Sequence, residues 1–123
     1  MTLLVQITDT HIVERGKLLY GQADTALHLA ETVAEINAMR PTPDAVLITG
    51  DLVEHPGPVT YSHFRDLIAP LKMPVHLMPG NHDDPEFMAG FFADTDMFPA
   101  AAPTYQYVID DYPVRIMMLN SHF

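Results

Sequence analysis

Three short apolar runs, each passing at once into polar residues, set the pattern of this chain. Leu3-Leu4-Val5-Gln6-Ile7 leads into Thr8-Asp9-Thr10-His11, Ala45-Val46-Leu47-Ile48-Thr49 into Gly50-Asp51, and Val75-His76-Leu77-Met78 into Pro79-Gly80-Asn81-His82-Asp83. Apolar runs of this length bounded by turn residues predict buried strands, at residues 3–8, 45–49 and 75–78. Between them, Ala23, Ala26, Leu27, Ala30, Val33 and Ala34 recur at the spacing of one helix face, which predicts a helix over 22–40 that Pro41 and Pro43 stop. Pro58 suits the first turn of a second helix, over 58–71, and Asp84-Pro85 caps and opens a third that runs through 92. Residues 105–109 and 114–119 read as two further strands joined by the turn Asp110-Asp111-Tyr112-Pro113.

The resulting order is β-α-β-α-β-α-β-β, an α/β chain. Strands that alternate with helices imply parallel pairing with right-handed crossovers, and such sheets gather ligands beyond the carboxyl ends of their strands. All three polar clusters fall there. The chain stops at Phe123, almost inside its last strand, so the expectation is one domain, 1–123, incomplete at its C-terminus.

Composition narrows the function. A hydrophobic content of 48% with 18% charged residues belongs to a globular chain. The 16 acidic against 6 basic residues give a net charge of −10, which argues against a nucleic-acid polymer as partner. The absence of cysteine excludes thiolate zinc, disulfides and cysteine nucleophiles. The N-terminus lacks the basic segment of a signal peptide, and no run approaches the roughly 18 apolar residues of a membrane helix. A soluble cytoplasmic protein without a membrane partner is expected. An acidic protein that handles anions needs a local source of positive charge, and bound metal would supply it.

The strand ends carry the chemistry. Asp9 and His11 are two apart, so in extended backbone both side chains point to the same side and could grip one divalent ion. Gly50 lets the chain turn sharply and aim Asp51 across the sheet edge. Asn81 offers an amide oxygen, followed at once by His82 and Asp83; a polar turn and helix cap would explain that stretch as well.

Taken in order, Asp9-x-His11, Gly50-Asp51 and Gly80-Asn81-His82-Asp83 resemble the first three motif blocks of the calcineurin-like metallophosphoesterases. The run Ile7-Thr8-Asp9-Thr10-His11 with Lys17-Leu18-Leu19-Tyr20-Gly21 is most similar to the N-terminal half of the bacterial cyclic-nucleotide and glycerophosphodiester phosphodiesterase branch. The resemblance implies half of an αββα sandwich, a mostly parallel sheet with helices on one face, whose inner face is left open. It also implies two divalent metal ions, of iron, manganese, zinc or cobalt. Asp9 and His11 would hold the first, Asp51 would bridge both, and Asn81 would hold the second. His82 would face the substrate phosphate as a catalytic group, with Asp83 orienting it or fixing the turn, and Asn81 and His82 would contact substrate. By position alone, His55, four after Asp51, and Tyr20, ahead of Gly21, are further candidates for substrate contact, which a solvated loop residue and aromatic packing, respectively, would explain as well. Two divalent ions less two carboxylates leave about +2 to hold a phosphodiester anion and a metal-activated hydroxide. The implied activity is hydrolysis of a small phosphodiester, cyclic nucleotide or glycerophosphodiester in type.

The chain departs from the family pattern in lacking the later histidine block and the final Gly-His-x-His. After His82 its only histidine is His122, and four ligands are too few to saturate two ions. A homo-oligomer or a complementing chain covering the open sheet is therefore expected. The alternative is a truncated, non-catalytic remnant; a generic nucleotide-binding module is disfavoured because no glycine-rich phosphate loop follows a strand. His28 and His63 read as packing or surface residues on helices, His76 as a core histidine, and Met117-Met118 as core filling.

Overall fold

The computed structural model describes residues 1–120; His122 lies outside the described residues. The elements follow the expected order: β1 Leu4–Ile7, α1 Thr25–Ala38, β2 Ala45–Thr49, α2 Pro58–Ile68, β3 Val75–Met78, α3 Pro85–Phe91, β4 Tyr107–Ile109 and β5 Ile116–Met118. Local chemistry sets the ends. The Asp24 carboxylate accepts from the Leu27 amide to start α1, and Met39 turns extended two residues ahead of Pro41 to end it. The Asp84 carboxylate accepts from the Phe87 amide and Pro85 fills the first turn of α3. α2 stops at Ile68 rather than 71, because Pro70 cannot extend a helical ladder. β4 begins later than expected, since Tyr105 has a φ of 51°, outside the strand region.

β1, β2 and β3 form a parallel sheet in that spatial order. The register sets Val5, Val46 and Val75 abreast, and likewise Ile7, Ile48 and Leu77. Side chains alternate across a strand, so these rows occupy one face and Gln6, Leu47 and His76 the other. Val46, Ile48 and Leu77 are fully buried in one cluster with Leu29, Val33 and Ile36 of α1, Tyr61, Phe64 and Ile68 of α2, and Met88 of α3. Each such side chain contributes roughly 1.5–3 kcal/mol over its exposed state, which offsets the conformational entropy that ordering this sheet edge costs.

β4 and β5 pair antiparallel as a separate hairpin. It lies against β3: the Tyr107 hydroxyl donates to the Leu77 carbonyl at 2.6 Å, and the Tyr112 ring meets His76 edge-on at 6.4 Å. The hairpin therefore covers part of the second sheet face, over His76 and Met78, while Gln6 stays exposed and Leu47 half-buried. Its own alternation divides the methionine pair: Met118 packs in the core, whereas Met117, abreast of exposed Val108, faces outward at 62% exposure. The expectation that both methionines fill the core fails for that reason. No helix among the described residues is long and apolar enough to cross a membrane.

Candidate metal centre

The parallel sheet brings its three carboxyl ends to one edge, and the loops beyond them remain tied together. The Gly50 amide donates to the Met78 carbonyl at 2.8 Å, Asp9 to Gly50 at 3.0 Å, His11 to Asp51 at 2.9 Å, and Ile12 to Leu52 at 3.0 Å. This ladder carries the pairing of β1, β2 and β3 outward to the site. Within it the backbone is strained: Asp9, His11 and Asp51 have φ of 57°, 43° and 51°, and Gly50 of 91°. Left-handed conformations at non-glycine residues cost on the order of 1 kcal/mol each and persist where the surroundings over-determine them. Here they converge the side chains. Asp9 and His11 do meet, at 3.4 Å between Oδ1 and Nε2, but through this left-handed backbone and not through the extended one that their spacing had implied.

His11 Nε2 also lies 3.7 Å from Asp51 Oδ2, and His11, Asp51 and His82 each offer a ligand atom within 4.8 Å of the others. The Asn81 amide sits 3.1 Å from both Asp51 carboxylate oxygens. With its nitrogen toward them it donates to both; with its oxygen toward them the same spacing is that of oxygens sharing a cation. Donors at about 2.0–2.2 Å from one ion stand roughly 3–3.5 Å apart along an edge of its coordination shell, a range that the 3.4 Å from His11 to Asp9 and the 3.1 Å from Asn81 to Asp51 meet and the 3.7 Å from His11 to Asp51 slightly exceeds. Asp9, Asp51 and Asn81 also line a cavity of about 490 Å³, which Met117, Met118 and Leu119 of the hairpin segment close on another side.

Asp83 is 4% exposed and accepts four hydrogen bonds: from the amides of Gly80 at 2.8 Å, Leu52 at 3.1 Å and Val53 at 3.3 Å, and from the Tyr61 hydroxyl at 3.0 Å. Burial pushes its carboxyl above the usual range, against the pull of these donors. These bonds fix the turn after β3 against the loop after β2. The His82 ring is held elsewhere: its Nδ1 donates to the Glu54 carbonyl at 3.0 Å, and this contact raises its pKa, against the effect of burial and with the help of the Glu54, Asp51 and Asp83 charges.

Glu54 is the residue that the sequence reading missed. It is 6% exposed, its Oε2 lies 2.8 Å from His11 Nδ1, and its Oε1 accepts from the Tyr20 hydroxyl at 2.9 Å. Burial alone would push this carboxyl up; hydrogen bonds from Tyr20 and His11, with the charges of both histidines, overcome it and hold Glu54 below the ordinary range. Both histidines thus spend Nδ1 on Glu54 and keep Nε2 as the free nitrogen, the orientation a metal or substrate requires. The sequence signal available was an acid three residues beyond Asp51, behind the apolar pair Leu52-Val53. Replacing Glu54 by Gln preserves volume but leaves one acceptor for two donors. We expect zinc affinity, measured by calorimetric titration, to fall about 10–100-fold. An affinity within twofold of the parent would mean that Glu54 does not orient His11.

The remaining candidates lie apart. Tyr20 is 78% exposed and reaches the centre only through Glu54. His55 is exposed, outside the ligand group, and its carbonyl accepts from Thr60. His28 is exposed on α1, while His63 is buried with Nδ1 against the Val13 carbonyl at 2.9 Å. His76 is buried with an unpartnered Nε2, and burial lowers its pKa.

The family model of the calcineurin-like phosphoesterases matches residues 2–118. The chain belongs to this family. It is 35% identical over 119 residues to a probable glycerophosphodiester phosphodiesterase of Arcobacter nitrofigilis, covering 97% of this chain and 43% of that protein. It is 33% identical over 120 residues to a glycerophosphodiester phosphodiesterase of Enterobacter lignolyticus, with the same shares of 97% and 43%. A 3',5'-cyclic adenosine monophosphate phosphodiesterase of Pseudomonas aeruginosa is 33% identical over 120 residues, 97% of this chain and 41% of its own. The chain thus spans less than half the length of these curated relatives. As a calcineurin-like phosphoesterase it presents a parallel sheet with helices, part of the metallophosphoesterase fold, with a His/Asp/His group that could hold a metal.

Proposed function

We propose that this chain is the metal-holding part of a phosphodiesterase that hydrolyses small phosphodiesters with two divalent ions. The observation that carries the reading is the convergence of Asp9, His11, Asp51, Asn81 and His82 at three parallel strand ends beside an open 490 Å³ cavity, in a calcineurin-like phosphoesterase. Asp9 and His11 would hold one ion, Asp51 would serve both, and Asn81 would offer its amide oxygen to the second. When bound, the metal supplies Lewis acidity to the phosphoryl group and makes water a nucleophile at neutral pH. The chain's own residues orient and move protons. Glu54 pins His82 through Nδ1 and leaves Nε2 as the nitrogen that can pass a proton to the departing alkoxide. Asp83 holds the turn on which Asn81 and His82 stand.

Four ligands cannot fill two shells, so the rest come from further polypeptide, a second copy or a complementing chain. The same partner would cover Gln6 and Leu47 on the open sheet face and the outward Val108 and Met117 of the hairpin. The domain proposed is thus larger than residues 1–123, and a cytoplasmic location belongs to the same proposal. Iron, manganese, zinc and cobalt all suit these mixed ligands.

The test is metal content, solution mass and bis-p-nitrophenyl phosphate hydrolysis after reconstitution with manganese. Bound metal with turnover supports the reading and, with the mass, identifies who completes the site. Neither metal nor turnover, at any oligomeric state, would make this chain a non-catalytic remnant. The small number of ligands favours that second reading.

A further inference from the structure

The side chains that converge at the strand ends are not held alike. Asp51 is buried and accepts from the His82 amide at 2.9 Å, and His11 is fixed through Nδ1 by Glu54 at 2.8 Å. The Asp9 side chain is 56% exposed, so packing does not choose the direction of its carboxylate. A hydroxyl does: Thr8 Oγ1 donates to Asp9 Oδ2 at 2.7 Å. Neighbouring side chains in a strand point to opposite faces, and this pair meets because Asp9 leaves the extended backbone at a φ of 57°. Oδ1 is then turned toward His11 Nε2, at 3.4 Å. We propose that Thr8 is the positioning residue of Asp9, its hydroxyl occupying one carboxylate oxygen so that the other faces the place of the first ion. The proposal rests on the reading of Asp9 as a metal ligand given above.

The hydroxyl is itself anchored in the sheet. Thr8 Oγ1 also stands 2.7 Å from the Thr49 carbonyl, and Thr49 accepts on its own Oγ1 from Gln6 Nε2 at 2.7 Å. The ends of β1 and β2 thus both fix the point from which Asp9 is held. A threonine hydroxyl carries one hydrogen for these two acceptors, and a bond to a carboxylate is about twice as strong as one to a neutral carbonyl. The hydrogen therefore goes to Asp9 while its carboxylate is anionic. With Oδ2 so engaged, Asp9 offers a cation one oxygen in a set direction. Without the hydroxyl the exposed carboxylate would sample several rotamers, and binding a cation would have to order it. Thr8 is exposed and stands outside the core cluster, so a change there disturbs no buried packing.

The test is calorimetric zinc titration, with thermal denaturation of the metal-free chain, for Thr8→Val and Thr8→Ser. Valine keeps the branched shape of threonine without the hydroxyl, and serine keeps the hydroxyl without the methyl. Thr8→Val should bind zinc about tenfold more weakly, at the lower end of the ~10–100-fold typical of a group that orients a ligand, and Thr8→Ser should stay within about twofold of the parent. Free of metal, all three should melt together. Zinc affinity of Thr8→Val within twofold of a zinc-binding parent would overturn the role of Thr8 and leave Asp9 a ligand. Equal losses in Thr8→Val and Thr8→Ser, or a metal-free Thr8→Val chain that melts below the parent, would assign the effect to packing and overturn it as well. A parent that takes up no zinc would overturn the ligand reading of Asp9 together with the proposal.

Discussion

Asp51→Asn should abolish diester hydrolysis and release metal, the largest effect expected of any single change in the ligand set. Asp51 is 9% exposed, and its two oxygens are committed in different directions. Oδ1 accepts from the His82 amide at 2.9 Å, Oδ2 faces His11 Nε2 at 3.7 Å, and Asn81 approaches both at 3.1 Å. An asparagine keeps the shape but replaces one anionic oxygen by an N–H₂ group that no cation can use, and it removes a negative charge that would offset the proposed metals. The loss of affinity should exceed the ~10–100-fold typical of an outer-shell partner. His82→Ala is the contrast: with Nε2 assigned to the substrate, it should slow turnover and leave metal content largely intact. Because His82 stands in the same ligand group as His11 and Asp51, metal analysis of both variants separates the roles. Loss of metal from His82→Ala with full metal in Asp51→Asn would reverse the assignment.

The order and kind of the elements were legible because each is a local matter. Proline and glycine punctuate the chain at Pro41, Gly50, Pro58, Pro79 and Pro85, and an apolar run four or five residues long between such marks has few alternatives to a buried strand. The meeting of three polar clusters was legible too, since parallel pairing sends every strand end to one edge. What remained hidden depends on contacts across long sequence separations. Glu54 is one of sixteen acidic residues, and only the fold reveals that it touches His11, His82 and Tyr20. The left-handed backbone at Asp9, His11 and Asp51 leaves no mark in residue types that favour it only weakly. Asp83 gives the same lesson: beside His82 in sequence, it accepts three of its four hydrogen bonds from the loop after β2 and from Tyr61 on α2. The hairpin's separation from the parallel sheet, which turns Met117 outward, likewise rests on pairing that no local pattern specifies.

Gly80→Ala should remove metal binding as thoroughly as loss of a ligand, without changing any ligand. A Cβ on Gly80 would sit 2.9 Å from Asp51 Cγ and closer still to Asp51 Oδ1 and its amide nitrogen. The obstacle is partly backbone, so no rotamer change relieves it. The loops after β2 and β3 would have to part, against the Gly50 to Met78 bond at 2.8 Å, the His82 to Asp51 bond at 2.9 Å and the Leu52 to Asp83 bond at 3.1 Å. Such overpacking costs about 1–3 kcal/mol, and here the strain falls on the carboxylate that the proposed ions share. Gly90 supplies the control, because it lies within α3 and a Cβ there meets nothing within 4 Å. Gly90→Ala should be neutral or stabilising by up to about 1 kcal/mol, as alanine is in a helix. Thermal denaturation and zinc titration of the two variants check this. If Gly80→Ala bound zinc and melted like the parent, the close approach of Gly80 to Asp51 would not be what positions the Asp51 carboxylate, and the Gly50 turn and the His82 amide would hold it instead.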